Sequence, residues 1–209
     1  ELEVRGDNPL HQFVTLSVYN RLLDALQDTL KEKKIDLIIM GTRGESNHNI
    51  REFGSNAVEI MENIRQCPVM AIPKKTNVFI RGTKKEIVFS TNYKTPYMPK
   101  DLDFLVQKAK LIHAEIRVLH IQENGGLSPQ QLKNRERIGE FLKEIRHSFH
   151  TLSNTRVAAG IQSFMQSRGS DMLVMIHKKH GFFNSIFNTP MVEQMNGKNQ
   201  VPLLVMHDK

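Results

Sequence analysis

The chain has a single cysteine, Cys67, and no apolar run near the roughly 20 residues that a membrane-spanning helix needs. One thiol excludes an internal disulfide framework and fits a reducing compartment, so the sequence reads as cytoplasmic. The charged start, Glu1-Leu2-Glu3-Val4-Arg5, is unlike a secretory signal. No Ser/His/Asp set or carboxylate pair marks a catalytic site. His177, His180 and His207 have neither a cysteine nor a carboxylate beside them, and read as loop and strand-end histidines in water rather than metal ligands. Cys67 precedes Pro68 without an evident base, which is the pattern of a buried, inert thiol.

What is present is the balance of an ordinary globular protein: 209 residues, 39% hydrophobic and 24% charged, enough for a sizeable core in one domain or two. The net charge of +7 is scattered in short groups such as Lys33 and Lys34, Lys74 and Lys75, Lys84 and Lys85, and Lys178 and Lys179. No aromatic-rich strand face or basic helix accompanies it, so nucleic acid is not the expected partner. Methionines such as Met40, Met61, Met70, Met172 and Met206 fall at apolar positions and read as core filling.

The chain repeats itself. Phe13-x-Thr15-Leu16-Ser17 recurs as Phe149-x-Thr151-Leu152-Ser153, and Asp36-Leu37-Ile38-Ile39-Met40 as Asp171-Met172-Leu173-Val174-Met175. Phe53-x-Ser55-x-x-Val58-Glu59-x-Met61 recurs as Phe187-x-Thr189-x-x-Val192-Glu193-x-Met195, and Pro68 as Pro202. The offset drifts only from 136 to 134, so these are two copies of one αβ unit. The second copy opens with a strand signal at Glu86 to Ser90 whose first-copy counterpart would precede residue 1, so the first copy is expected to be a partial domain.

In the second copy, strands are expected at Glu86 to Ser90, Glu115 to Ile121, near Thr151, Asp171 to Ile176 and Leu203 to Met206. Helices are expected at Asp101 to His113, Pro129 to Phe149, Val157 to Ser167 and around Pro190 to Met195. His147 and His150 then fall one turn apart at a helix end, where histidine meets the dipole favourably. The first copy offers strands near Phe13 to Ser17, Leu37 to Met40 and Val69 to Ile72, with helices at about Tyr19 to Lys33 and Ser55 to Ile64. Strands alternating with helices of this length require crossovers, hence an α/β, doubly wound parallel sheet. The organisation is a first partial domain over 1–73, a polar, basic linker over 74–85 and a second domain over 86–209.

The stretch from Asp36 to Pro73 carries the chemistry. A buried strand runs into Gly41-Thr42-Arg43-Gly44, then nine residues separate Gly44 from Gly54-Ser55-Asn56, which opens a helix. Gly41 and Gly44 let the backbone approach a ligand closely, and free amides at a helix start favour an anion. The same glycines also suit plain turns, and Ser55 suits a helix cap. The spacing, with its flanks Asp36-Leu37-Ile38-Ile39-Met40 and Pro68-Val69-Met70-Ala71-Ile72-Pro73, resembles the nucleotide-binding signature of the universal stress protein family. The resemblance implies a five-stranded parallel sheet of order 3-2-1-4-5 in each copy. It implies ATP or a related adenine nucleotide, with Mg2+, at Gly41, Thr42, Arg43, Gly44, Gly54, Ser55 and Asn56. It also implies a regulatory protein rather than a dedicated enzyme, at most a slow ATPase, that pairs through the last strand of each sheet as a homo-oligomer or an intrachain pseudo-dimer. Ala57, two residues after Ser55, and the polar run Glu45 to Phe53 depart from the family pattern. In the second copy the motif reads Ile176-His177-Lys178-Lys179-His180-Gly181 and Asn188-Thr189, so that copy is expected to be structural. Phe182, Phe183, Ile186 and Phe187 there are expected to fill the vacant site or cover an interface.

Overall fold

The computed structural model describes residues 10–42, 54–73, 76, 85–122, 125–177 and 201–208. The element order is α1 (Leu22–Glu32), β1 (Ile38–Gly41), α2 (Ser55–Asn63), β2 (Val69–Ile72), β3 (Lys85–Ser90), α3 (Pro99–Leu111), β4 (Ala114–Ile121), α4 (Pro129–Leu142), β5 (His147–Leu152), α5 (Val157–Arg168), β6 (Met172–His177) and β7 (Leu203–His207). The strands form one seven-stranded sheet, β1-β2-β7-β6-β3-β4-β5. The second copy contributes β5-β4-β3-β6-β7, all parallel, which is the order 3-2-1-4-5. The first copy contributes the parallel pair β1–β2.

The two copies meet at β2 and β7, the last strand of each, and among the described strands this pair alone is antiparallel: Val69 faces Val205, Met70 faces Leu204 and Ala71 faces Leu203. An antiparallel ladder is what a twofold relation between like strands produces. Valine, leucine and methionine dominate both strands, as burial on two faces requires.

Helices cover both faces. On one side Leu23, Leu26 and Leu30 of α1, Ala57, Ile60 and Met61 of α2 and Ile161 and Met165 of α5 close over Val69, Val88 and Val205. On the other, Leu102, Leu105 and Ala109 of α3 and Ile138 and Leu142 of α4 close over Ile87, Phe89, Ile116 and Leu204. These side chains recur at three- and four-residue steps, so each helix presents one apolar stripe to the sheet. Pro129 at the first position of α4 and the Ser128–Gln131 capping box start that helix, and Gly169, at φ 64°, stops α5.

Two expected elements differ. The helix expected to reach Phe149 ends at Leu142, and His147 and His150 lie on strand β5 instead of at a helix end. Ile138, Leu142 and Ile145 keep helical spacing past the true end, but the Ile145 amide turns back to the Leu142 carbonyl at 2.8 Å and the Ile116 amide takes the Arg146 carbonyl at 3.0 Å. Pairing with β4 outweighs the local pattern. The strand expected at Phe13 to Ser17 does not form; the segment is exposed, Phe13 to 65%. Its second-copy counterpart, β5, exists by pairing with β4, and among the described residues no strand of the first copy lies in that position. The helix expected around Pro190 to Met195 and the apolar group Phe182, Phe183, Ile186 and Phe187 lie outside the described residues.

Candidate functional site

Strand β1 ends at Gly41, and Thr42 follows, buried, with its amide on the Ile72 carbonyl at 3.2 Å. The chain next appears at Gly54, whose amide donates to the Thr42 carbonyl at 2.7 Å and whose own carbonyl accepts from the Ala57 and Val58 amides at 3.1 and 3.2 Å. This fastens the start of α2 to the carboxyl end of β1. Gly54 has φ −64° and ψ 159°, a conformation open to any residue. Its backbone therefore does not demand glycine; what a side chain there would change is the space in front of the helix.

Ser55 and Asn56, the first two residues of α2, are exposed, and no side chain caps the helix. Their amides precede the first intrahelical acceptors and point out at the positive end of the helix dipole. The structure thus brings Gly41, Thr42, Gly54, Ser55 and Asn56 together at the carboxyl edge of the parallel pair β1–β2, where open α/β sheets bind ligands. Arg43 and Gly44 lie outside the described residues.

The equivalent crevice of the second copy lies where its strand order reverses, past the carboxyl ends of β3 and β6. On its β3 side the described residues fill the space themselves; the segment after His177, on the β6 side, lies outside the described residues. Tyr93, 1% exposed and at φ 55°, lies against the His120 ring with centroids 4.9 Å apart. The Tyr93 carbonyl accepts from Asn134 Nδ2 at 2.7 Å, its amide donates to Thr91 Oγ1 at 3.1 Å, and that hydroxyl shares a 3.0 Å hydrogen bond with Tyr97. A bulky aromatic in the left-handed region is held there only by surroundings that leave it no alternative. Burial pushes the Tyr97 phenol up to about 12. Sequence reading missed this plug. The available signal was two of the three tyrosines standing within seven residues of the β3 terminus.

His177 and His207 lie at strand ends, as expected, but not in water. His207 is 5% exposed, its Nε2 3.0 Å from the Met61 carbonyl, its ring 5.0 Å from that of His177, its register partner. Burial, reinforced by His177, depresses the His207 pKa to about 4, so the ring is neutral near pH 7 and donates through Nε2. His180 lies outside the described residues. Cys67 is buried, as expected. Among the described residues no three histidine, cysteine or acidic side chains gather as a metal would require, and no helix is long and apolar enough to cross a membrane.

At the opposite, amino end of the strands a charged cluster joins β3, β4 and α5. Glu86 accepts from Arg117 Nε at 2.8 Å, from Arg168 Nε and Nη2 at 2.7 Å each and from Ser170 Oγ at 2.8 Å, while Glu115 bonds Arg117 and, at 3.0 Å, Arg146. Burial alone would raise the Glu86 pKa, but the hydrogen bonds from Arg168, Arg117 and Ser170 hold it down to about 2. Each carboxylate in the cluster is held by two arginines, which is the character of a structural fastening rather than a reactive site.

No protein-family model and no curated protein matches the chain. Solved structures do. A universal stress protein from Archaeoglobus fulgidus DSM 4304 superposes with a TM-score of 0.61 at 16% identity, over 88% of this chain and 64% of that one. A protein of unknown function from Pseudomonas aeruginosa PAO1 superposes at 0.58 and 14% identity, over 91% of this chain and 69% of that one. This chain therefore spans under two thirds of the Archaeoglobus structure, and its fold is the universal stress protein fold.

Proposed function

We propose that the chain is a regulatory protein of the universal stress type that binds an adenine nucleotide, ATP foremost, at the start of α2. The single observation that carries this reading is the pair of exposed amides at Ser55 and Asn56, fixed by the Gly54–Thr42 hydrogen bond at the carboxyl end of β1. Phosphate oxygens would take those amides and the Ser55 hydroxyl, with Gly41 and Gly44 giving room, Thr42 shaping the floor, Arg43 adding charge and Mg2+ accompanying the phosphates. The packing around Tyr93 past β3 in the second copy supports a division of labour, one copy binding and the other, joined through β2–β7, serving as scaffold in the cytoplasm. The chemistry is binding: among the described residues no side chain at this edge is placed as a general base. Nucleotide would act by favouring one packing of the two copies, which a partner reads.

The test is calorimetric titration of ATP into the wild-type chain and into Gly54→Val. Saturable binding that the substitution weakens at least tenfold supports the reading. Absent or equal binding favours the second reading, a nucleotide-independent interaction module, to which the plugged crevice at Tyr93 also speaks.

A further inference from the structure

Because β2 and β7 run antiparallel, the amino end of β2 lies beside the carboxyl end of β7. Two steps beyond the Val69–Val205 pair, the same register sets Cys67 across from His207. On the other flank of the joint the corresponding positions are Pro73 and Val201, residues with no side-chain polar group. The pseudo-twofold is thus broken in chemistry: one flank is apolar, the other is not.

On the polar flank a cavity of about 690 Å³ opens between the copies. That falls in the range of ~300–1,000 Å³ usual for small-molecule sites. Lys34 approaches from the turn before β1, Arg65 from the turn before β2 and Lys100 from the first turn of α3. All three are exposed, and among the described residues none of the three has an ion-pair partner. Lys108 of α3, its Nζ over the Phe104 ring, is a fourth cation on the lining. Asp36 and Asp103 stand on the same walls and can accept hydroxyl protons, Asp101 there already accepts the Met98 amide, and the buried His207 completes the lining.

We infer that this cavity is a second ligand site, one that takes a small phosphorylated polyhydroxy compound. Four cations from three separate segments suit one dianionic group better than a diffuse negative surface, since a phosphate offers several oxygens to the donors around it. The exposed carboxylates Asp36 and Asp103 select for hydroxyls on the rest of the molecule. Such a ligand touches both copies at once and would fasten the joint. The site is separate from the start of α2 and does not depend on the proposal made for it.

The probe is ribose 5-phosphate, with inorganic phosphate as the second arm, titrated calorimetrically into the full chain. The expected result is saturable binding of the sugar phosphate, tighter than inorganic phosphate, weakened at least tenfold by Arg65→Glu and by Lys100→Glu and unchanged by Gly54→Val. Arg65 and Lys100 are exposed, so the variants retain the fold, which circular dichroism checks. Lys133→Glu, an exposed charge change on α4 away from the cavity, keeps wild-type affinity. No binding at millimolar probe, equal affinity for both probes, or the same loss in Lys133→Glu as in Arg65→Glu overturns the inference. Loss in Gly54→Val alone also overturns it and reassigns the ligand to α2.

Discussion

Met70 and Leu204, which hold the same place in the two copies of the repeat, lie directly opposite each other at the centre of the antiparallel β2–β7 pair. A residue can face its own equivalent in this way only where a twofold axis passes, so the pair marks a local pseudo-twofold between β2 and β7.

Leu204 is 1% exposed, and its removal leaves a void at that axis. Leu204→Ala is expected to cost about 3 kcal/mol of unfolding free energy, within the usual range for a buried leucine. Urea denaturation followed by circular dichroism measures it; a loss below about 1 kcal/mol would show that the joint contributes little to the fold.

Ser55 makes no capping hydrogen bond and is exposed. Ser55→Ala should therefore change stability by less than about 0.5 kcal/mol, while weakening ATP binding several-fold if the hydroxyl meets a phosphate. Thermal unfolding and calorimetry on the same sample separate the two effects.

His207 is expected to make the protein acid-sensitive. In the unfolded chain the ring protonates near its ordinary 6.5; in the fold, burial and His177 delay this to about 4. The neutral ring's contribution is complete above pH 6.5 and is lost as pH falls towards 4. Arg65 and His177 face the ring and oppose its charge, while Asp208 and the Met61 carbonyl favour it. Urea midpoints between pH 7.5 and 4 should fall less steeply in His207→Gln than in the wild type; parallel curves would refute the assignment.

Glu86 acts in a lower window. Its folded value of about 2 lies below the ordinary 4.5, so its stabilisation is full above 4.5 and drains as pH falls towards 2. Glu86→Gln strands Arg117 and Arg168 and is expected to cost about 2 kcal/mol at pH 7, less than breaking a fully buried pair. The difference from wild type should shrink between pH 4.5 and 2, read from urea midpoints.

The sequence by itself determined the repeat, the alternation of strands and helices, and the place of the candidate loop. These rest on local chemistry: apolar runs of strand length, helical spacing such as Leu102, Leu105 and Ala109, and glycines beside a strand end. Only the tertiary structure decided the rest, because the deciding partners are far apart in the chain. The helix after Pro129 stops at Leu142 because β4 offers a ladder to the residues beyond. Phe13 to Ser17, with the same pattern as its counterpart in β5, forms no strand, since none of the described strands lies beside it. Glu86 finds Arg168 across 82 positions, and His207 reaches the Met61 carbonyl across 146. Tyr93 enters the left-handed region because Asn134 and His120 close around it. Hydrogen-bond ladders, ion clusters and burial are set by which segments meet, and periodicity records only which face of a segment is ready to meet another.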